Sequence, residues 1–176
     1  MTIYQRILVP IDGSDTSTLG LDEAVRLAKL TGATLRVMHA IDDLSFSLAL
    51  DAHAGRPGEW LRELHQEATK LLDGAVRAAT EAGVKAEGIL REGFNDRIAD
   101  VVAAEAKSWQ ADLIVLGTHG RRGLQRLMLG SDAEAILRSA PVPVLLVRPR
   151  APVPEQAEKS AEPTRLHLVT GALRIE

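Results

Sequence analysis

Five short apolar runs, separated by longer segments of helical period, limit what this chain can fold into more than any other feature. They are RILVPI (Arg6–Ile11), TLRVMHAI (Thr34–Ile41), KAEGIL (Lys85–Leu90), DLIVLG (Asp112–Gly117) and VPVLLV (Val142–Val147). Strand, helix-length segment and strand again, repeated along a chain, is the pattern of crossover connections and hence of a parallel sheet. Between the second and third runs, Leu61, Leu64, Ala68, Leu71, Leu72, Ala75, Val76 and Ala79 recur at spacings of three and four. One face of that helix is therefore apolar and must lie on the sheet. Ile98, Val101, Val102 and Trp109 do the same in the next helix, and Ala24, Val25 and Ala28 in the first. Asp15 or Ser17, Asn95 or Asp96, and Ser131 or Asp132 are placed to cap helices, since their oxygens accept the free amides of a first turn. The expected fold class is α/β.

Composition narrows the function classes. With 176 residues, 45% of them hydrophobic and 26% charged, the chain can bury one ordinary core, assigned to residues 1–149. A net charge of -3 and 3% aromatics provide neither the basic field nor the stacking platforms that a polynucleotide binder uses. Cysteine is absent, which removes disulfides, thiolate zinc sites and thiol catalysis together. No stretch approaches the roughly 18 apolar residues of a membrane span, and the amino terminus lacks a signal-peptide core. A cytoplasmic protein without a membrane span is expected. Two segments break the alternation. Ile41–Gly58 is a long connection in which LSFSLAL suggests a short helix, and residues 150–176 begin as a Pro-, Glu- and Lys-rich linker. The final RLHLVTGALRIE regains alternation, so it reads either as a docked edge strand or as a loose tail.

The most distinctive stretch is GTHGRRGLQRLMLGS, Gly117–Ser131, directly after the fourth run. Ligands of open parallel sheets collect at the carboxyl ends of strands, and phosphates favour the amino end of the following helix. Glycines there permit positive φ and let backbone amides approach an anion, while Arg121, Arg122 and Arg126 add positive charge. Taken singly, each glycine could equally serve a turn or a cap. Neither G-x-x-x-x-G-K-[ST] nor a G-x-G-x-x-G after the first strand occurs, so the P-loop and dinucleotide fingerprints are missing.

The spacing that does occur is Gly117-x2-Gly120-x9-Gly130-Ser131, with VPIDGS at the end of the first strand. That combination resembles the universal stress protein family, in its ATP-binding branch, over about Gln5–Arg148. The resemblance implies a doubly wound, five-stranded parallel sheet of order 3-2-1-4-5 with helices on both faces. It also implies ATP, accompanied by magnesium, across the first and fourth strand ends. Asp12 would hold the ribose hydroxyls beside Pro10 and Ile11. The backbone at Ala40 would meet the adenine edge, with Leu116 and Gly117 lining the same pocket. Gly120, Gly130, Ser131 and Asp132 would surround the phosphates, with His119 and Arg121 close by. A carboxylate beside a triphosphate would be repelled, so Asp12 suits neutral hydroxyls or a bound magnesium ion. Its competing role is an Asx turn onto Ser14.

No catalytic constellation emerges. His39, His53, His65, His119 and His167 are scattered, and His39, inside a strand, reads as packed and hydrogen-bonded. Asp42 and Asp43 read as surface carboxylates. Three functions follow: a nucleotide-binding module whose occupancy tunes conformation, assembly or a protein partner; a slow ATPase or autophosphorylating enzyme using Ser131, Thr118 or Ser14 as acceptor; and a structural dimer without nucleotide. The intact glycine spacing favours the first. The apolar edge Val142–Val147 calls for a cover, which the resemblance assigns to the same strand of a second subunit in a homodimer.

Overall fold

The computed structural model describes residues 4–41, 59–92, 97–118 and 130–149, with the side chains of 59–61 left aside. In chain order the elements are β1 (Arg6–Ile11), α1 (Asp15–Thr31), β2 (Thr34–Ile41), α2 (Glu59–Glu81), β3 (Ala86–Glu92), α3 (Ile98–Ser108), β4 (Leu113–Gly117), α4 (Ser131–Ser139) and β5 (Val144–Val147). All pairings are parallel, and the sheet order is β3-β2-β1-β4-β5, the doubly wound order expected. The fifth strand begins later than the apolar run suggested. Pro143 lacks an amide hydrogen, so only its carbonyl joins the sheet, accepting from Ile114 N at 3.0 Å.

Strand alternation sorts the side chains into two cores. Ile7, Val9, Ile11, Leu35 and Val37 meet α1 and α2 through Leu21, Ala24, Ala28, Leu72 and Ala79. Leu8, Met38, Ile114 and Leu116 meet α3 and α4 through Ala99, Val102, Ala106, Ala133 and Ile136. A period of two on the strands and of three to four on the helices produces this two-sided layering. The apolar face read for α2 is the packed one, with Ala68, Leu72 and Ala79 buried.

Helix starts differ from the expected caps. Ser14, rather than Asp15 or Ser17, caps α1, its side chain accepting from Ser17 N at 3.2 Å. The Ser17 hydroxyl is turned back onto Ser14 O at 2.9 Å. At α4 the cap position falls to Gly130, with no side-chain cap, and Ser131 and Asp132 already lie in the first turn. Arg97 precedes α3 without a side-chain cap, while Asn95 and Asp96 lie outside the described residues.

One ionic cluster joins α3 to the β2–β3 side of the sheet. The Glu105 side chain, 1% exposed, accepts from Arg36 Nη1 at 2.7 Å and from Arg91 Nε at 2.9 Å. Arg36 also reaches Glu87 at 2.7 Å and stacks its guanidinium 4.6 Å from the Trp109 ring centroid. Burial pushes the Glu105 carboxyl up, but hydrogen bonds from Arg91 and Arg36, reinforced by their charge, outweigh it and hold the group below its ordinary value.

Candidate functional site

The reversal of strand order occurs between β1 and β4, since β1 leads to β2 on one side and β4 lies on the other. Their carboxyl ends therefore open a crevice of the kind in which α/β proteins bind ligands. Pro10 and Ile11 end β1, and Asp12 follows at once. The register pairs Ile11 with His39, which sets Ala40 level with Asp12 one step further on. Leu116 and Gly117 end β4.

Local chemistry fixes Asp12. Gly13, at φ 81, turns the chain in a conformation that side-chain-bearing residues rarely adopt. That turn brings Ser14 back, and Asp12 Oδ1 accepts from Ser14 N at 3.0 Å and from Ser14 Oγ at 2.6 Å. The Asx turn foreseen for IDGS is thus formed. It holds the carboxylate at the strand end, so turn and ligand roles are compatible. On the other side of β1, His39 is 5% exposed and its Nδ1 lies 2.8 Å from Ile11 O, the packed and bonded state expected of it.

Gly117 has a reason that the sequence did not disclose. A Cβ there would lie 2.3 Å from Thr16 O and 2.5 Å from Thr16 C, so the first turn of α1 presses on the end of β4. Positive φ plays no part at Gly117 or at Gly130, whose φ is -62. The expectation that these glycines supply left-handed backbone is corrected: one supplies closeness, the other an extended entry into α4.

Thr118 links the elements around the crevice, a role that its sequence neighbourhood does not mark. Fully buried, it donates its amide to Val147 O at 3.0 Å and accepts from Gly130 N at 2.8 Å. Those two bonds tie the last residues of β4, the end of β5 and the start of α4 together. Gly130, Ser131 and Asp132 are thereby set beside Gly117, at the mouth of the crevice. The Gly130 amide is consumed in this link and is not offered to a phosphate. The first helical bond of α4 is Glu134 N to Gly130 O, 2.9 Å, which leaves the amides of Ser131, Asp132 and Ala133 ahead of the helical ladder and without a side-chain cap. An uncapped amino end carries the positive pole of the helix and attracts anions. Burial also removes Thr118 as a phosphate acceptor, whereas Ser131 is exposed.

His119, Gly120 and Arg121 lie outside the described residues, as do Arg122, Arg126, Asp42, Asp43, His53 and His167. His65 Nε2 stands 3.2 Å from Glu92, away from the crevice. Among the described residues no group of three His, Cys, Asp or Glu side chains could hold a metal ion, and no helix is long and apolar enough to cross a membrane.

The family model described as the universal stress protein family matches residues 3–148. The chain belongs to the universal stress protein family. Among curated relatives, universal stress protein MJ0531 of Methanocaldococcus jannaschii is 35% identical over 147 residues, 83% of either chain. Among solved structures, hypothetical protein MJ0577 superposes with a TM-score of 0.71 at 23% identity, covering 85% of this chain and 99% of that one. The universal stress protein from Archaeoglobus fulgidus in complex with dAMP superposes with a TM-score of 0.59 at 24% identity, covering 83% and 99%. This universal stress protein thus has the family's α/β fold, and the match leaves the segment after Arg148 outside.

Proposed function

We propose that this universal stress protein binds an adenine nucleotide, ATP foremost, and that occupancy tunes its conformation or assembly. One observation carries the reading: Thr118 holds the uncapped amino end of α4 beside the β1–β4 crevice, pairing an anion site with a polar strand end at Asp12. The dAMP complex of the Archaeoglobus fulgidus relative supports an adenine nucleotide as the ligand class. In this reading Asp12 faces the ribose hydroxyls, and the Ala40 backbone meets the adenine edge. Pro10, Ile11, Leu116 and Gly117 form the walls. The Ser131 and Asp132 amides take the phosphates, and Gly120, His119 and Arg121 of the loop join them. Magnesium enters on the phosphates as MgATP, because that ion keeps several waters and one or two carboxylates suffice for it. The bound nucleotide supplies a phosphate anhydride, and in this reading the protein is a binder whose state is read by assembly or a protein partner.

A homodimer through β5 belongs to the same reading. Among the described residues β5 pairs only with β4, and its residues remain half-buried, so its outer edge has backbone groups to offer to a second copy.

Titration calorimetry on two variants tests the site. Gly130→Val keeps a permitted backbone, since φ -62 and ψ 146 suit any residue, but its branched side chain crowds the amides of the first turn. ATP binding is expected to vanish in it while the melting curve persists. Asp12→Ala is expected to weaken ATP and leave tripolyphosphate unaffected. Normal ATP binding by Gly130→Val would contradict the phosphate placement.

A further inference from the structure

The sheet ends in two edges, and β3 forms the longer one. Ala86–Glu92 spans seven residues against four in β5, and among the described residues it pairs only with β2. Leu35 N donates to Lys85 O at 2.8 Å, which fixes the phase of the ladder. In a parallel pair alternate residues turn their backbone groups to the same side. Lys85, Glu87, Ile89 and Arg91 therefore address β2, while Ala86, Gly88, Leu90 and Glu92 turn theirs outward. Gly88 and Glu92 are exposed, so that edge is open to a partner strand.

Side chains alternate with the same period. Glu87, Ile89 and Arg91 stand on the α3 side of the sheet, where Ile89 packs at the margin of the core and Arg91 reaches Glu105. Gly88 and Leu90 stand on the α2 side, where a Cβ on Gly88 would lie 3.0 Å from Leu72 Cγ. Charges on an edge ordinarily discourage pairing. Here they have opposite signs and lie symmetrically about Ile89, Glu87 before it and Arg91 after it. Arg91 holds Glu105 through Nε and Nη2, which leaves Nη1 without a partner among the described residues, and Glu87 takes Arg36 on Oε1 alone. Their side chains are 45% and 48% exposed, so each can meet a second partner.

We propose that β3 pairs antiparallel with β3 of a second copy about a two-fold axis at Ile89. In that register Glu87 of each copy faces Arg91 of the other, Ile89 faces itself, Gly88 faces Leu90 and Ala86 faces Glu92, the self-complementary pattern that a two-fold interface requires. The outward amides and carbonyls of Ala86, Gly88, Leu90 and Glu92 then form the hydrogen-bonded pairs. Glu87, Ile89 and Arg91 fall in the closer pairs without backbone bonds, where opposite charges across the strands attract. A slip of the register to the next permitted pairing in either direction sets Ile89 against a charge and loses both ion pairs, so the charges select the register. The pairing rests neither on the nucleotide reading nor on β5, which lies at the opposite edge of the sheet.

The 176-residue chain has no cysteine, so single introduced cysteines report the pairing. Residues opposite one another in the closer antiparallel pairs have Cα atoms about 4.5 Å apart, inside the roughly 4.4–6.8 Å that a disulfide spans. Ile89→Cys is expected to oxidise to a covalent dimer at least tenfold faster than Arg62→Cys, an exposed position on α2. Glu87→Cys should not exceed that control with itself, but should cross-link with Arg91→Cys when the two are mixed. Glu87→Lys, which sets like charges opposite one another, should keep its melting curve and lower the assembled mass in a light-scattering dilution series. Ile89→Cys oxidising no faster than the control, Glu87→Cys cross-linking with itself as fast as Ile89→Cys, or an assembled mass indifferent to Glu87→Lys would overturn the proposal. If Ile89→Cys does not fold, the mixed reaction of Glu87→Cys with Arg91→Cys decides it, and no cross-link there overturns it.

Discussion

Glu105 carries a charge at a position with 1% exposure, and its contribution to stability depends on pH. Its folded-state pKa lies below the ordinary value because Arg91 and Arg36 outweigh the effect of burial. A carboxyl depressed on folding contributes in full above its unfolded value, about 4.3, and loses that contribution as pH falls through the folded value. Glu105→Gln removes the charge and leaves both guanidinium groups with a weaker acceptor. We expect it to cost about 2 kcal/mol at neutral pH, below the range for fully buried pairs because Arg36 and Arg91 are partly hydrated. Urea unfolding should also show a shallower loss of stability on acidification, and an acid profile identical to that of the parent would contradict the assignment. Nothing in AAEAKSW marks Glu105 as buried, since its partners lie 69 and 14 residues away in sequence. Asp12 and His39 were legible because their partners, Ser14 and the facing strand, follow from short-range turn chemistry and from strand register.

At the scale of elements, the strands and the apolar faces of the helices were readable from periodicity, because burial on one side imposes it. Caps were displaced by one or more residues. In DGSDTS any of several oxygens can serve, and the choice of Ser14 is made by the Gly13 turn, which periodicity does not encode. Close approach between elements is equally silent in sequence. Gly20 and Gly117 look like ordinary glycines, yet a Cβ on Gly20 would lie 3.0 Å from Gly117 N, and one on Gly117 would strike the Thr16 backbone. Backbone cannot rotate away as a side-chain tip can. Gly117→Ala is therefore expected to destabilise by about 2–3 kcal/mol, the upper part of the range for overpacking, by forcing α1 off the end of β4. Thermal and denaturant unfolding measure this directly; a stability change under about 0.5 kcal/mol would mean that the α1–β4 contact yields freely.

For the whole molecule, the sheet order and the crevice were accessible from the family resemblance, and the two cores from alternation. The link through Thr118 was not, because it joins the ends of β4 and β5 to the start of α4 across a loop of unrelated spacing. The proposed homodimer would form through the β5 edge. If a second copy covers it, removing everything after Arg150 should leave a dimer of undiminished affinity in a light-scattering dilution series. New association or aggregation on truncation would instead assign the cover to the chain's own end. Calorimetric titration of the 176-residue chain with ATP and with GTP decides whether a nucleotide occupies the β1–β4 crevice. Micromolar ATP binding, about -8 kcal/mol, with GTP at least tenfold weaker is the predicted result. Equal heats and affinities for the two, or no saturable heat with ATP, would contradict it.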